Sequence, residues 1–88
     1  MADIYWHRNV MSQTITLDAS GLMCPLPVLK LRKRLASLAE GDLISMIATD
    51  PAAVIDVPHY CQESGHELVE QHQAGERLTF VVRCCRVS

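Results

Sequence analysis

The chain has 88 residues, a formal net charge of −2, 49% hydrophobic and 20% charged residues, values of an ordinary globular chain with a modest core and no need of staples. That charge gives no global attraction for nucleic acid or for an anionic membrane. The longest apolar run, around 43–48, is far too short to span a bilayer, and the first residues lack the continuous apolar stretch of a signal peptide, so a cytoplasmic protein without membrane partners is expected.

Residues 1–12 have no clear period and read as a flexible N-terminal extension, which leaves 13–88 as a single domain. Thr14, Ile15, Thr16 and Leu17 alternate and predict a strand over 14–17. Residues 18–23 form a loop that delivers Cys24, and a helix follows over 26–39. In that helix Val28, Leu31, Leu35 and Leu38 recur on one face, and Gly41 ends it. The nearly continuous apolar run over 43–49 predicts a central strand. Asp50 and Pro51 then supply an N-cap and a first-position proline for a helix over 52–64, which Pro58 is expected to break or kink before Gly65 closes it. Strands over 66–72 and 77–85 are joined by a hairpin connection at 73–76, and the last places Leu78, Phe80, Val82 and Cys84 on one face. The fold class that follows is a two-layer α/β (α+β) sandwich, β-α-β-α-β-β, with both helices on one face of a mixed four-stranded sheet.

Cys24 carries the strongest functional signal. It lies in Cys24-Pro25-Leu26-Pro27, between a loop containing Gly21 and an amphipathic helix. A helix begins with backbone N–H groups that have no intrahelical partner and with the positive end of its macrodipole. A thiol placed there is expected to ionise more readily than a free one and to be a better nucleophile. Pro25 suits the first helical position, where a missing N–H costs nothing, and the remaining donors of the turn are expected to face the sulfur. The plainer alternative is a buried, inert thiol, but two prolines and a glycine describe a stiff junction rather than a position in mid-core. No acid or base flanks Cys24 in the sequence to serve as its general base, so its partners are expected to supply part of the chemistry.

The other cysteines, Cys61, Cys84 and Cys85, do not have the spacing of a disulfide framework, and adjacent residues of a strand point to opposite faces. A zinc site drawing on Cys61, His59, His66 and the Cys84–Cys85 pair lacks any C-x-x-C or H-x-x-x-H spacing, so no metal is expected. Lys30, Arg32, Lys33 and Arg34 form a basic cluster on the first helix. It is either a solvated face that complements the helix C-terminal half or a docking patch for an acidic partner. Direct binding of nucleic acid is not expected.

These residues resemble the TusA/SirA-like sulfur carriers, whose mark is Cys-Pro-x-Pro. The likeness runs through Leu17-Asp18-Ala19, Gly21, Cys24-Pro25-Leu26-Pro27, Gly41-Asp42, Asp50-Pro51-Ala52, Asp56-Val57-Pro58 and Gly65-His66-Glu67-Leu68, roughly 15–83 in all. The resemblance implies a two-layer α/β fold and a sulfurtransferase that holds sulfane sulfur as a transient persulfide on Cys24, with Gly21, Pro25 and Pro27 in support and no bound cofactor. Its implied partners are a cysteine desulfurase or rhodanese-type donor and a downstream acceptor protein, in tRNA thiolation, molybdenum-cofactor or sulfur-oxidation chemistry. The tRNA-thiolation relatives typically have arginine before the cysteine and glutamate between the prolines; here those positions are Met23 and Leu26, which makes the rim more apolar. A regulatory or binding module of the same fold, with an unreactive Cys24, and a small metal-binding protein are the alternatives.

Overall fold

The strand residues alternate between a face that must be covered and a face that need not be, and that alternation sets the architecture. The computed structural model describes residues 14–85, so the extension expected over 1–12 lies outside the described residues. The elements are β1 (Thr14–Ala19), α1 (Leu26–Leu35), β2 (Leu43–Ala48), α2 (Ala53–Ser64), β3 (Glu67–Ala74) and β4 (Arg77–Arg83), in the expected order. The strands form one sheet in the order β1-β2-β4-β3; β1 runs parallel to β2, and β4 runs antiparallel to both its neighbours. Register aligns Leu17 with Met46 and Met46 with Phe80, while Ala19, Ala48 and Leu78 form the next row. All six are buried, and Leu31, Leu35, Ala53, Val57 and Cys61 from the two helices close over that same face. Each large side chain buried in this way contributes about 1.5–3 kcal/mol, so the one covered face supplies most of the stability. Among the described residues no helix is long and apolar enough to cross a membrane.

Several boundaries differ from expectation, each for a local reason. β1 continues two residues further, to Ala19, because Asp18 and Ala19 stay in register with Ile47 and Ala48. α1 stops at Leu35 instead of 39. The Ser37 hydroxyl donates back to the Arg34 carbonyl at 2.8 Å, and the N–H groups of Ser37 and Leu38 reach only three residues back, at 3.1 Å each. A serine that offers the backbone this alternative favours helix ends over helix interiors. Gly41, with φ 95°, therefore does not cap the helix; it turns the chain into β2 after Asp42 accepts the Ala39 N–H at 3.0 Å. β3 begins later and runs to Ala74, with a bulge between Leu68 and Glu70 that lets one extra residue fit opposite β4. Its hairpin closes through Gly75 and Glu76, with positive φ at Gly75 alone, as a type II′ turn requires. β4 ends at Arg83, yet Cys84 stays buried in line with Leu78, Phe80 and Val82, and its backbone pairs with Gly41 and Asp42 at 2.8 Å.

The expected break at Pro58 does not occur, for α2 runs without interruption from Ala53 to Ser64. Ala53, Val57 and Cys61 are buried at successive turns and hold the helix to the sheet on both sides of the proline. Tertiary packing offsets the local penalty, as it does for most helices in proteins. Gly65, with φ 88°, closes the helix by donating to the Cys61 carbonyl at 3.0 Å. Pro58→Ala adds the N–H that the Val54 carbonyl would otherwise receive and relieves the ring clash. Chemical denaturation is expected to show a gain of about 1–3 kcal/mol; a loss of stability would mean that the ring itself packs productively.

Candidate functional site

The β1–α1 loop and the β2–α2 loop leave the sheet side by side, because β1 and β2 are parallel and in register to their last residues. Two hydrogen bonds clasp them. Gly21 N–H donates to Thr49 Oγ1 at 2.8 Å, and Cys24 N–H donates to Asp50 Oδ2 at 2.6 Å. Gly21 adopts φ 80°, and a Cβ built there meets nothing within 4 Å, so its glycine serves the backbone conformation and not a close contact. The other Asp50 oxygen accepts the Ala52 N–H at 3.0 Å. Asp50 therefore folds its own loop into a turn and holds the cysteine loop at the same time. It does not cap α2 directly, since the capping position is Ala52. Donation from Cys24 N–H and then Ala52 N–H pulls the Asp50 carboxyl below the ordinary carboxylate range.

Cys24 is half-buried, and its peptide bond to Pro25 is cis. Pro25 stands at the capping position of α1, so Leu26 and not Pro25 is the first helical residue, and Pro27 is the second. Pro27 is also among the fully buried side chains, which ties this end of the helix into the core. The sulfur does not gain the cradle of N–H groups expected of a helix start. Pro25 and Pro27 have none to give, and Leu26 N–H is spent on the Met23 carbonyl at 2.9 Å. In their place a carboxylate faces the thiol: Cys24 Sγ donates its proton to Asp56 Oδ2, from the first turn of α2.

The expectation of an easily ionised Cys24 is therefore reversed. The hydrogen bond to Asp56, then burial, then the negative charges of Asp56 and Asp50 push the thiol up to about 11. Each of these disfavours the anion, and the macrodipole, worth about 0.3–1 kcal/mol at an exposed site, does not overcome them. In the sequence Asp56 stands out only as part of a motif, and Asp50 only as a cap and as part of a motif. The signal that could have found them is topological, since a parallel β-α-β unit sets its two strand-to-helix loops next to each other.

The cysteine loop and the two helices also expose apolar side chains. Met23 is 74% exposed and Ile55 72%, with Leu26 and Leu29 each at 48%. A groove of about 250 Å³ lies between α1 and α2, lined by Pro25, Val28, Asp56, His59, Tyr60 and Glu63, and it opens from the Asp56 side of the thiol. The four basic residues of α1 are all exposed. Lys30 Nζ is held by the Asp18 carbonyl at 2.5 Å, and Arg34 reaches Ser37 Oγ at 3.0 Å.

The remaining cysteines lie elsewhere. Cys61 and Cys84 are buried in the core, Cys85 is half-buried, and all are free thiols. Burial alone pushes Cys61 up to about 11. Among the described residues no group of three or more His, Cys, Asp or Glu side chains is arranged to hold a metal ion.

The sequence and the fold are similar to those of known proteins. The sequence profile of the family described as Sulfurtransferase TusA matches residues 15–84. The sulfur carrier protein TusA of Allochromatium vinosum is 40% identical over 67 residues, which are 76% of this chain and 88% of that protein. The protein of the same name from Pseudomonas aeruginosa is 45% identical over 67 residues, 76% of this chain and 85% of its own length. Among solved structures, a SirA-like protein from Desulfitobacterium hafniense superposes with a TM-score of 0.71 at 22% identity, covering 82% of this chain and 99% of that one, and so shares the fold.

A thiol held by a carboxylate reacts slowly at neutral pH. Alkylation of Cys24 by iodoacetamide, resolved by peptide mass, is expected to climb steadily with pH and to reach half its limit near 11. A plateau reached below pH 8 would show that the carboxylates do not hold the proton.

Proposed function

Because the chain belongs to the TusA sulfurtransferase family, we propose that Cys24 takes sulfane sulfur from a donor persulfide and relays it to an acceptor protein. The observation that carries this reading is the position of Cys24. It lies at the end of the sheet where the two strand-to-helix loops are clasped together, beside the exposed apolar side chains of Met23 and Leu26 that a protein partner can cover. Gly21 supplies the backbone bend, Pro25 and Pro27 fix the junction, and the three other cysteines take no part.

In the loading step Cys24 Sγ attacks the terminal sulfur of the donor persulfide, and the donor cysteine departs as its sulfur–sulfur bond breaks. In the unloading step an acceptor thiolate attacks the outer sulfur, and Cys24 is the leaving group. No redox cofactor is required, because each step exchanges one sulfur–sulfur bond for another. A cysteine desulfurase or rhodanese-type protein is the donor of the required chemistry. The apolar Met23 and Leu26 favour partners with a complementary apolar lip about the reacting cysteine.

Incubation with a cysteine desulfurase and cysteine, followed by intact mass measurement, tests the assignment. One sulfur atom removable by reductant is expected on the parent protein and none on Cys24→Ser. The folded triple variant of Cys61, Cys84 and Cys85 to alanine is expected to load like the parent; failure of that variant, or loading of Cys24→Ser, counts against Cys24.

The exposed basic face of α1 serves as the docking patch for an acidic donor in this reading. Reversing Arg32 and Lys33 to glutamate is expected to slow loading severalfold at low ionic strength and much less at high salt. An equal effect at both salt concentrations would assign these residues to the solvated face instead.

A further inference from the structure

We propose that Asp56, backed by Asp50, is a positioning residue that holds the empty carrier as a quiet thiol and biases the loaded carrier toward giving its sulfur away. The proposal rests on the reading of Cys24 as the sulfur-bearing residue.

The empty thiol has one proton, and that proton is donated to Asp56. The backbone of the same residue donates to Asp50 at 2.6 Å. The cysteine is thus bound as a donor twice over, by two carboxylates that reach it from the β2–α2 loop and from α2. Among the described residues no cation is paired with Asp56, and Arg32 acts on Tyr60 of the same groove. His59, Tyr60 and Glu63 line the groove with Asp56, and His59 pairs with Glu63 at 3.5 Å. The first turn of α1 contributes Leu26, Pro27 and Val28, and behind it Lys30 is engaged with the Asp18 carbonyl. Asp18 itself accepts from Ser20.

Loading changes the sign of this contact. The balanced step is Cys24–SH plus donor–S–S⁻ giving Cys24–S–S⁻ plus donor–SH. The donor's sulfur–sulfur bond breaks, a new one forms at Cys24 Sγ, and the departing donor sulfur takes the thiol proton, which lies on the Asp56 hydrogen bond at the start. Cys24 Sγ is oxidised and the donor's inner sulfur is reduced. Afterwards Sγ has no proton, so a hydrogen bond to Asp56 becomes a lone pair facing a carboxylate. The outer sulfur, more acidic than a thiol because the neighbouring sulfur spreads its charge, is an anion beside two negative groups. It is driven away from Asp56 and out over the exposed Met23, Leu26 and Ile55, where an acceptor arrives. The suppressed ionisation of the empty thiol is the counterpart of this arrangement.

Two measurements on the full chain test it, one of which needs no sulfur transfer. In the first, the pH midpoint of iodoacetamide alkylation at Cys24 is compared between the parent and Asp56→Asn. It is expected to fall by about a unit or more, while Asp56→Glu stays with the parent. A unit raises the thiolate fraction about tenfold and weakens its intrinsic nucleophilicity about threefold, so alkylation at neutral pH gains about threefold net. Asp50→Asn is expected to move in the same direction by less, because Asp50 touches the backbone and not the sulfur. In the second, each protein is equilibrated with glutathione persulfide and glutathione, and the ratio of loaded to empty Cys24 is read by intact mass. Asp56→Asn is expected to raise that ratio about tenfold for each unit by which the midpoint falls. An unmoved midpoint, or a loaded ratio that stays level or falls, overturns the proposal. If Cys24 takes no sulfur in any variant, the carrier reading itself falls and the proposal with it, while the alkylation midpoint still reports whether Asp56 holds the thiol.

Discussion

The parallel pairing of β1 with β2 is the constraint from which the rest of the molecule follows. Parallel strands cannot be joined by a tight turn, so the chain must cross the sheet through α1 before β2 can form. That crossing puts α1 on the covered face and brings both strand-to-helix loops to one end. The register pairs Ala19 with Ala48, so Gly21 finds Thr49 and Cys24 finds Asp50 a few residues further on. Residues separated by 26 and 32 positions meet at a single cysteine, Asp50 at its backbone N–H and Asp56 at its sulfur.

The charge around that sulfur is a compromise between two tendencies of the same fold. A helix start attracts anions, and a cysteine there is commonly activated. Here the prolines that stiffen the junction also remove N–H donors, and the neighbouring helix contributes Asp56 where its own positive end welcomes an acidic residue. The carboxylate that suits α2 is unfavourable to a thiolate at α1. A thiol held protonated in this way resists oxidation, since susceptibility follows thiolate character.

The core and the site were legible to different degrees. The one-face row Leu78, Phe80, Val82 and Cys84 and the Val28, Leu31, Leu35, Leu38 spacing marked the covered face, with Val28 only partly buried, because burial is written in the period of the side chains. Ends were less well marked. The Ser37 hydroxyl stopped α1 early, and pairing with Ile47 and Ala48 carried β1 onward, both through contacts that no window of sequence displays. Pro58 was the plainest conflict between local preference and tertiary packing, and the packing of Val57 and Cys61 prevailed.

The sequence by itself determined the order of the elements, the single covered face and the prominence of Cys24 among four cysteines. Each depends on neighbours along the chain: side-chain periodicity, glycine and proline geometry, and the Cys-Pro-x-Pro spacing. The tertiary structure alone decided the protonation of that cysteine. A thiol's ionisation is set by the charges and hydrogen bonds within a few ångströms, and those come from Asp56 and Asp50, which only the crossover between two parallel strands brings to its side.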